Sequence, residues 1–312
     1  MSEAFVRDDV KQFLAFLNAL PGPKTHESTP EAARAMMLAM RPVADVDTGE
    51  LAVIHDLAIP GPAGDIPARL YDARDNRTEP ELVMVFFHGG GFVIGNVDTH
   101  EPYCAEVARQ MDIPVVSVDY RLAPEAPYPA APDDCETAAR WVAANLPCTG
   151  LILSGDSAGG NLCIVTAMAL RNAPAAVPVV AMNAIYPVVS EGQDWPSYDE
   201  FAEGFLLSKD SMVWFENHYG AHVAKGRDDG WRAAPLSHDL AGLPPTAVMT
   251  ASLDPLRDEG RAFAAALADA GVPVRHYEAE GHIHALIGLR KAVPSSQGDV
   301  DRNLADLKAL LA

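Results

Sequence analysis

The stretch Leu151-Ile152-Leu153-Ser154-Gly155-Asp156-Ser157-Ala158-Gly159-Gly160-Asn161 changes character in its middle. Its apolar start reads as a strand, and the alanine-rich run that opens at Ala158 reads as a helix. Between them, Gly155-x-Ser157-x-Gly159 fits the pattern G-x-S-x-G. That spacing suits a sharp strand-to-helix turn that lifts a serine hydroxyl above a sheet edge. Glycines two before and two after the serine give so tight a turn room to close. The pentapeptide arises by chance about 0.1 times in a chain this long, with Gly and Ser at about 7% each, and the strand-before, helix-after setting makes an accident rarer. A phosphate-cradling loop is the competing reading, but the Gly-Lys-Ser/Thr ending that it needs is absent. Ser157 is the candidate nucleophile.

The same strand–helix rhythm extends in both directions. Strand-like runs occur at 52–59, 66–71, 82–87, 113–118, 150–154, 178–186, 246–251 and 273–279. Helix-length patterns alternate with them at 98–111, 132–145, 158–171, 257–270 and 299–311. Alternation of this kind predicts an α/β fold, a mostly parallel central sheet flanked by helices. The run Leu82-Val83-Met84-Val85-Phe86-Phe87 is apolar throughout, as a strand buried on both faces must be. It leads into His88-Gly89-Gly90-Gly91-Phe92. Three successive glycines let backbone N–H groups approach a ligand with no side chain in the way. Joined by the N–H of Ala158, such donors suit an oxyanion. A dinucleotide fingerprint fails here, because Ile94 stands where G-x-G-x-x-G needs its last glycine.

A serine nucleophile needs a base, and the base an orienting acid. Asp254 leaves the C-terminal end of the strand run 246–251, on the expected catalytic edge. Asp258 and Glu259 fall in the first turn of the next helix, where acids suit the helix dipole. The loop after the last strand run, Glu280-Gly281-His282-Ile283-His284, offers two histidines. Their spacing could also suit a metal, but no carboxylate or cysteine cluster accompanies them, so no metal site is expected.

These motifs together resemble the hormone-sensitive-lipase-like family of α/β-hydrolases, the bacterial family IV esterases. The likeness covers about residues 52–290. It includes His88 to Phe92, Asp119-Tyr120-Arg121-Leu122-Ala123-Pro124-Glu125, Gly155 to Asn161, Gly242-Leu243-Pro244-Pro245 and Asp254-Pro255-Leu256-Arg257-Asp258-Glu259-Gly260. The resemblance implies a serine carboxylesterase that works through an acyl-enzyme on neutral, short-to-medium acyl esters, with no cofactor. It implies Ser157 as nucleophile, Asp254 as orienting acid, and Gly90, Gly91 and Ala158 as oxyanion donors. The family's loop G-x-x-H-G-F aligns Gly281 and His284, making His284 the base and His282 a bystander. Ala285-Leu286 stand where the family has Gly-Phe. An amidase or deacetylase on the same triad is the alternative, and a non-catalytic small-ligand receptor of the same fold is a remoter one.

The remaining sequence supplies a cover and a setting. Val6, Val10, Phe13, Leu14 and Leu17 repeat at helical spacing, and Thr29-Pro30 opens a second helix. Eight of the chain's 22 aromatics fall between residues 195 and 231. The two N-terminal helices read as an appendage and the aromatic segment as a cover for a pocket; the resemblance implies that 1–45 and 190–230 form the family's helical cap, on a catalytic core of 46–189 and 231–312. Phe201, Phe205 and Trp214 are its candidate pocket residues. The 312 residues carry 43 Asp and Glu against 23 Lys and Arg, a net charge of −20. So acidic a surface disfavours nucleic acid and anionic membranes. No apolar run reaches the ~18 residues of a membrane span. The N-terminus lacks a signal-peptide pattern, and the four cysteines form no C-x-x-C pair. A cytoplasmic enzyme acting on a small-molecule ester is expected, and a homodimer is left open.

Overall fold

The computed structural model describes residues 4–190, 194–220 and 229–312. Residues 191–193 and 221–228 of the expected second cap segment lie outside these. Among the described residues, eight strands form one sheet: β1 Val53–Gly61, β2 Gly64–Asp72, β3 Glu81–Phe87, β4 Val115–Val118, β5 Cys148–Asp156, β6 Val179–Ile185, β7 Thr246–Leu253 and β8 Val274–Ile283. Their spatial order is β1-β2-β4-β3-β5-β6-β7-β8. β1–β2 and β2–β4 are antiparallel, and the other pairs are parallel. All eight strand runs anticipated from sequence are present.

The continuous apolar strands are explained by two cores. In β3, Val83, Val85 and Phe87 enter one hydrophobic cluster, while Met84 and Phe86 enter another on the opposite face. Leu151 and Leu153 of β5 part from Ile152 in the same way. With side chains alternating at period two, only apolar residues at every position can serve two cores. The first core is closed by α4 (Ala130–Asn145), α5 (Ala158–Asn172) and α8 (Arg257–Asp269), through residues such as Ala138, Leu162 and Phe263. The second is closed by α3 (Val97–Met111) and α9 (Ser296–Leu311), through Tyr103, Val107 and Leu304. Each large side chain so buried contributes about 1.5–3 kcal/mol by leaving water.

This topology brings distant motifs together. The chain leaves β3 for β4 on one side, then returns to place β5 on the other. The strand order therefore reverses between β3 and β5, and such a switch point opens a crevice at the strands' C-terminal ends. Phe87 pairs with Gly155 in that register. His88–Phe92 and Ser157 thus emerge side by side.

Helices α1 (Asp8–Ala19) and α2 (Pro30–Ala44) precede the sheet. Thr29 caps α2 by accepting the Ala32 N–H at 3.3 Å, as its position before Pro30 predicts. Val10, Phe13 and Leu14 of α1 form a third, smaller cluster with Leu253 and Ile283, at the ends of β7 and β8. α6 (Pro196–Glu200) and α7 (Lys209–Tyr219) interrupt the sheet between β6 and β7.

Candidate active site

Ser157 stands between β5 and α5 with φ 55° and ψ −117°, in a region that a side chain disfavours. Three backbone bonds hold it there: its N–H donates to Ile185 O at 2.9 Å, and its carbonyl accepts from Asn161 and Val188 at 3.1 and 3.2 Å. The flanking glycines are dictated by crowding. A Cβ on Gly155 would strike the Gly159 carbonyl, and one on Gly159 would strike that of Phe87. The turn closes only because neither residue has a side chain.

Asp254 leaves the end of β7, fully buried. One carboxylate oxygen accepts the Leu256 N–H at 2.9 Å, which fixes the side chain's direction. The other lies 2.6 Å from Nδ1 of His284, and Nε2 of His284 lies 2.9 Å from the Ser157 hydroxyl. A carboxylate only accepts, so Nδ1 carries the proton and Nε2 is left to accept from the serine. Three side chains separated by long stretches of chain form one unbroken line.

The two loop histidines take different partners. His282 is fully buried, with Nε2 2.8 Å from Ser296 Oγ, and burial pushes its pKa down to about 4. Its Nδ1 accepts the Ile283 N–H at 2.9 Å. Both ring nitrogens are occupied, and neither reaches the serine. Strand β8 also runs past its expected end at 279. Gly281, at φ 71°, donates its N–H to Ser252 Oγ at 2.7 Å across a register shift in the β7–β8 pairing. This bulge carries the strand on to Ile283. The polar run Glu278-Ala279-Glu280 hides that extension from a hydrophobicity reading.

Gly90 and Gly91 have φ of 120° and 58°. The N–H groups of Gly90, Gly91 and Ala158 make no backbone hydrogen bond among the described residues. A buried polar cluster supports the turn from behind. The Gly89 N–H donates to Asp156 at 2.7 Å, His100 Nε2 lies 3.3 Å from the same carboxylate, and the Tyr120 hydroxyl donates to His88 O at 2.8 Å. Burial, followed by the neighbouring His100, pushes the His88 pKa down to about 3, so its ring is neutral. Burial opposes ionisation of Asp156, but His100 and the Gly89 N–H outweigh it and hold its pKa below the usual value. Read alone, His88 and His100 pass for loop and helix-start residues. Their link to Asp156 appears only once β3 and β5 are adjacent.

The rest of Asp119–Glu125 is scaffolding as well. Arg121 forks onto Asp134 at 2.8 Å, and Arg34 of α2 binds Glu125 together with the Val93 and Ala123 carbonyls. A surface cleft of about 520 Å³ lined by Arg34, Asp119, Arg121 and Glu125 includes none of Ser157, Asp254 and His284. Among the described residues no group of three His, Cys, Asp or Glu is arranged to hold a metal ion.

The three cap aromatics separate. Phe201 is buried in the third cluster, edge-on to Phe205 at 5.1 Å and under the Arg257 guanidinium at 4.9 Å. Both rings belong with the cluster that α1 forms at the ends of β7 and β8. Trp214 lies on α7, packed against the first core and edge-on to Phe215. Phe215 is the ring over the glycine turn, because a Cβ on Gly91 would meet it. Tyr219, one turn on, stacks on Phe92 at 3.9 Å. Composition marks this segment as aromatic but does not say which ring faces the turn.

A model of the α/β-hydrolase fold family matches residues 84–288. The esterase LipI of Mycobacterium tuberculosis is 38% identical over 270 residues, covering 84% of this chain and 83% of its own. The carboxylesterase NlhH of the same organism is 38% identical over 257 residues, 79% of each chain. The chain belongs to the α/β-hydrolase family. Its relatives place this hydrolase in the hormone-sensitive-lipase-like branch and make it a carboxylic ester hydrolase. A thermostable esterase from Pseudomonas putida has the same architecture, with a TM-score of 0.92 at 30% identity, over 100% of this hydrolase and 99% of that one. No helix among the described residues of the hydrolase is long and apolar enough to cross a membrane.

Proposed function

We propose that Ser157, His284 and Asp254 are the nucleophile, base and orienting acid of this ester hydrolase. The observation that carries the reading is the unbroken line from Asp254 through His284 to Ser157, at 2.6 and 2.9 Å. His284 Nε2 takes the serine proton as Oγ attacks the ester carbonyl. Gly90, Gly91 and Ala158 donate to the developing oxyanion, Ala158 from the first position of α5, where the helix dipole adds positive potential. The histidine then passes its proton to the leaving alcohol, and water repeats the sequence on the acyl-enzyme.

The substrates are neutral esters of short-to-medium acyl chains. The net charge of −20 repels anionic ones, and the Phe215 ring packed against the glycine turn is an apolar neighbour for the reacting ester. Residues 1–45 and 190–230 act as the cap on a core of 46–189 and 231–312. The cysteines, free and with thiol pKa values raised by burial, suit a cytoplasmic enzyme. The test is a panel of p-nitrophenyl esters of graded acyl length, run beside an anilide and an acetylated sugar. Highest kcat/KM on the short-to-medium esters is expected. Preference for the anilide or the sugar would replace this reading with that of an amidase or deacetylase.

A further inference from the structure

The loop that carries His284 is fastened to the N-terminal arm of the chain. Arg290 donates through Nε and Nη2 to the two carboxylate oxygens of Asp45, at 2.9 Å each. Asp45 is the residue that ends α2, and the two side chains are only 1% and 3% exposed. Beside this fork, the N–H groups of Lys291 and Ala292 donate to Ala44 O at 3.1 and 3.0 Å. Further along, Asp9 of α1 accepts both the N–H and the hydroxyl of Ser295, at 2.9 and 3.1 Å. The segment between His284 and α9 is therefore gripped at two points by residues that precede the first strand.

The grip bears on a strained residue. Ala285, directly after His284, has φ 63° and ψ 18°, a left-handed conformation. A Cβ there costs roughly 1–2 kcal/mol, and such a residue stays in place only where its surroundings leave no alternative. A glycine at this position would be free of that cost, and the resembling family has one there. This chain holds alanine, so the restraint must come from elsewhere. On one side Leu286 and Ile287 are buried in the second core, and on the other Arg290 is locked to Asp45. Removing one member of a buried ion pair leaves the other charged and stranded, which is strongly destabilising locally.

We infer that Asp45 and Arg290 are positioning residues for His284: the N-terminal arm is part of the catalytic scaffold as well as a cover. The inference rests on the reading of His284 as the base. A displacement of about 1 Å in such a group, caused from a distance, can lower turnover about 100-fold.

The test is steady-state hydrolysis of p-nitrophenyl butyrate by folded Asp45→Asn, well below its Tm. Turnover should fall about 10- to 100-fold, with KM within about twofold, because the loss falls on the transition state and not on substrate binding. Adding Ala285→Gly should return part of the lost kcat, since glycine takes φ 63° freely. Should Asp45→Asn fail to fold, Asp9→Asn, which loosens the Ser295 contacts and a local bond from the Val10 N–H, carries the same split on a smaller scale. Unchanged kcat, a raised KM with kcat intact, or a second substitution that restores Tm without kcat would each overturn the inference. His284→Ala is run beside them: full activity there would remove the base assignment itself. An inactive His284→Ala with a fully active Asp45→Asn would remove only the positioning role.

Discussion

At the scale of single residues, Ser157 holds a backbone conformation worth roughly 1–3 kcal/mol of strain, and the surrounding turn keeps it there. Its hydroxyl faces a histidine whose tautomer is set by a carboxylate. Ser157→Ala and His284→Ala should each lower turnover by ~10⁴-fold or more, as removal of one member of a cooperating unit does. His282→Ala should instead lower Tm, through loss of the Ser296 contact, and keep most of kcat. Steady-state kinetics beside thermal melts separate the two histidines, and the reverse ranking would move the base to His282. Ser157 was legible because glycine crowding writes itself into G-x-S-x-G, and Asp254 because it ends an apolar strand. Two histidines at i and i+2 carry no such mark. Resemblance favours His284, and hydrogen-bond geometry gives each ring its own partner.

Between elements, two contacts of the segment that separates β6 from β7 differ in character. Phe215 of α7 covers Gly91. Phe215→Ala should extend the acyl or alcohol groups accepted, seen as a shift of the kcat/KM maximum toward longer p-nitrophenyl esters; an unmoved maximum would take Phe215 out of the pocket. The other contact is with Glu259 of α8, fully buried and bonded by Ser190, the Tyr198 hydroxyl at 2.9 Å and the Val189 N–H. Burial raises its pKa from 4.5 to about 7. The folded chain thus keeps a proton that the unfolded chain releases. The stabilisation is complete below pH 4.5 and is lost as pH rises through about 7, amounting to about 3 kcal/mol. Glu259→Gln, which is always neutral, should flatten the fall of Tm over that range, and an unaltered slope would show that another group is titrating. Glu259 reads from sequence as a helix-start acid, since its partners lie 61 to 70 positions earlier.

For the whole molecule, the strand–helix alternation was legible, most plainly in β3 and β5, because two cores on opposite faces require apolar residues at successive positions of the central strands. The bulge that prolongs β8, the buried cluster behind His88 and the grip of the N-terminal arm on the His284 loop were not. Each joins residues far apart in the chain and leaves no local periodicity. The net charge of −20 fits a hydrolase of neutral substrates. Covalent trapping asks whether the chain carries one activated serine built from three distant segments. The protein is treated with a fluorophosphonate, and intact-mass and peptide mass spectrometry are read against residual esterase activity. One adduct per chain is expected, on Ser157, with activity lost in proportion and labelling abolished or strongly slowed in His284→Ala. An adduct on another residue, or full activity in a chain labelled at Ser157, would contradict it.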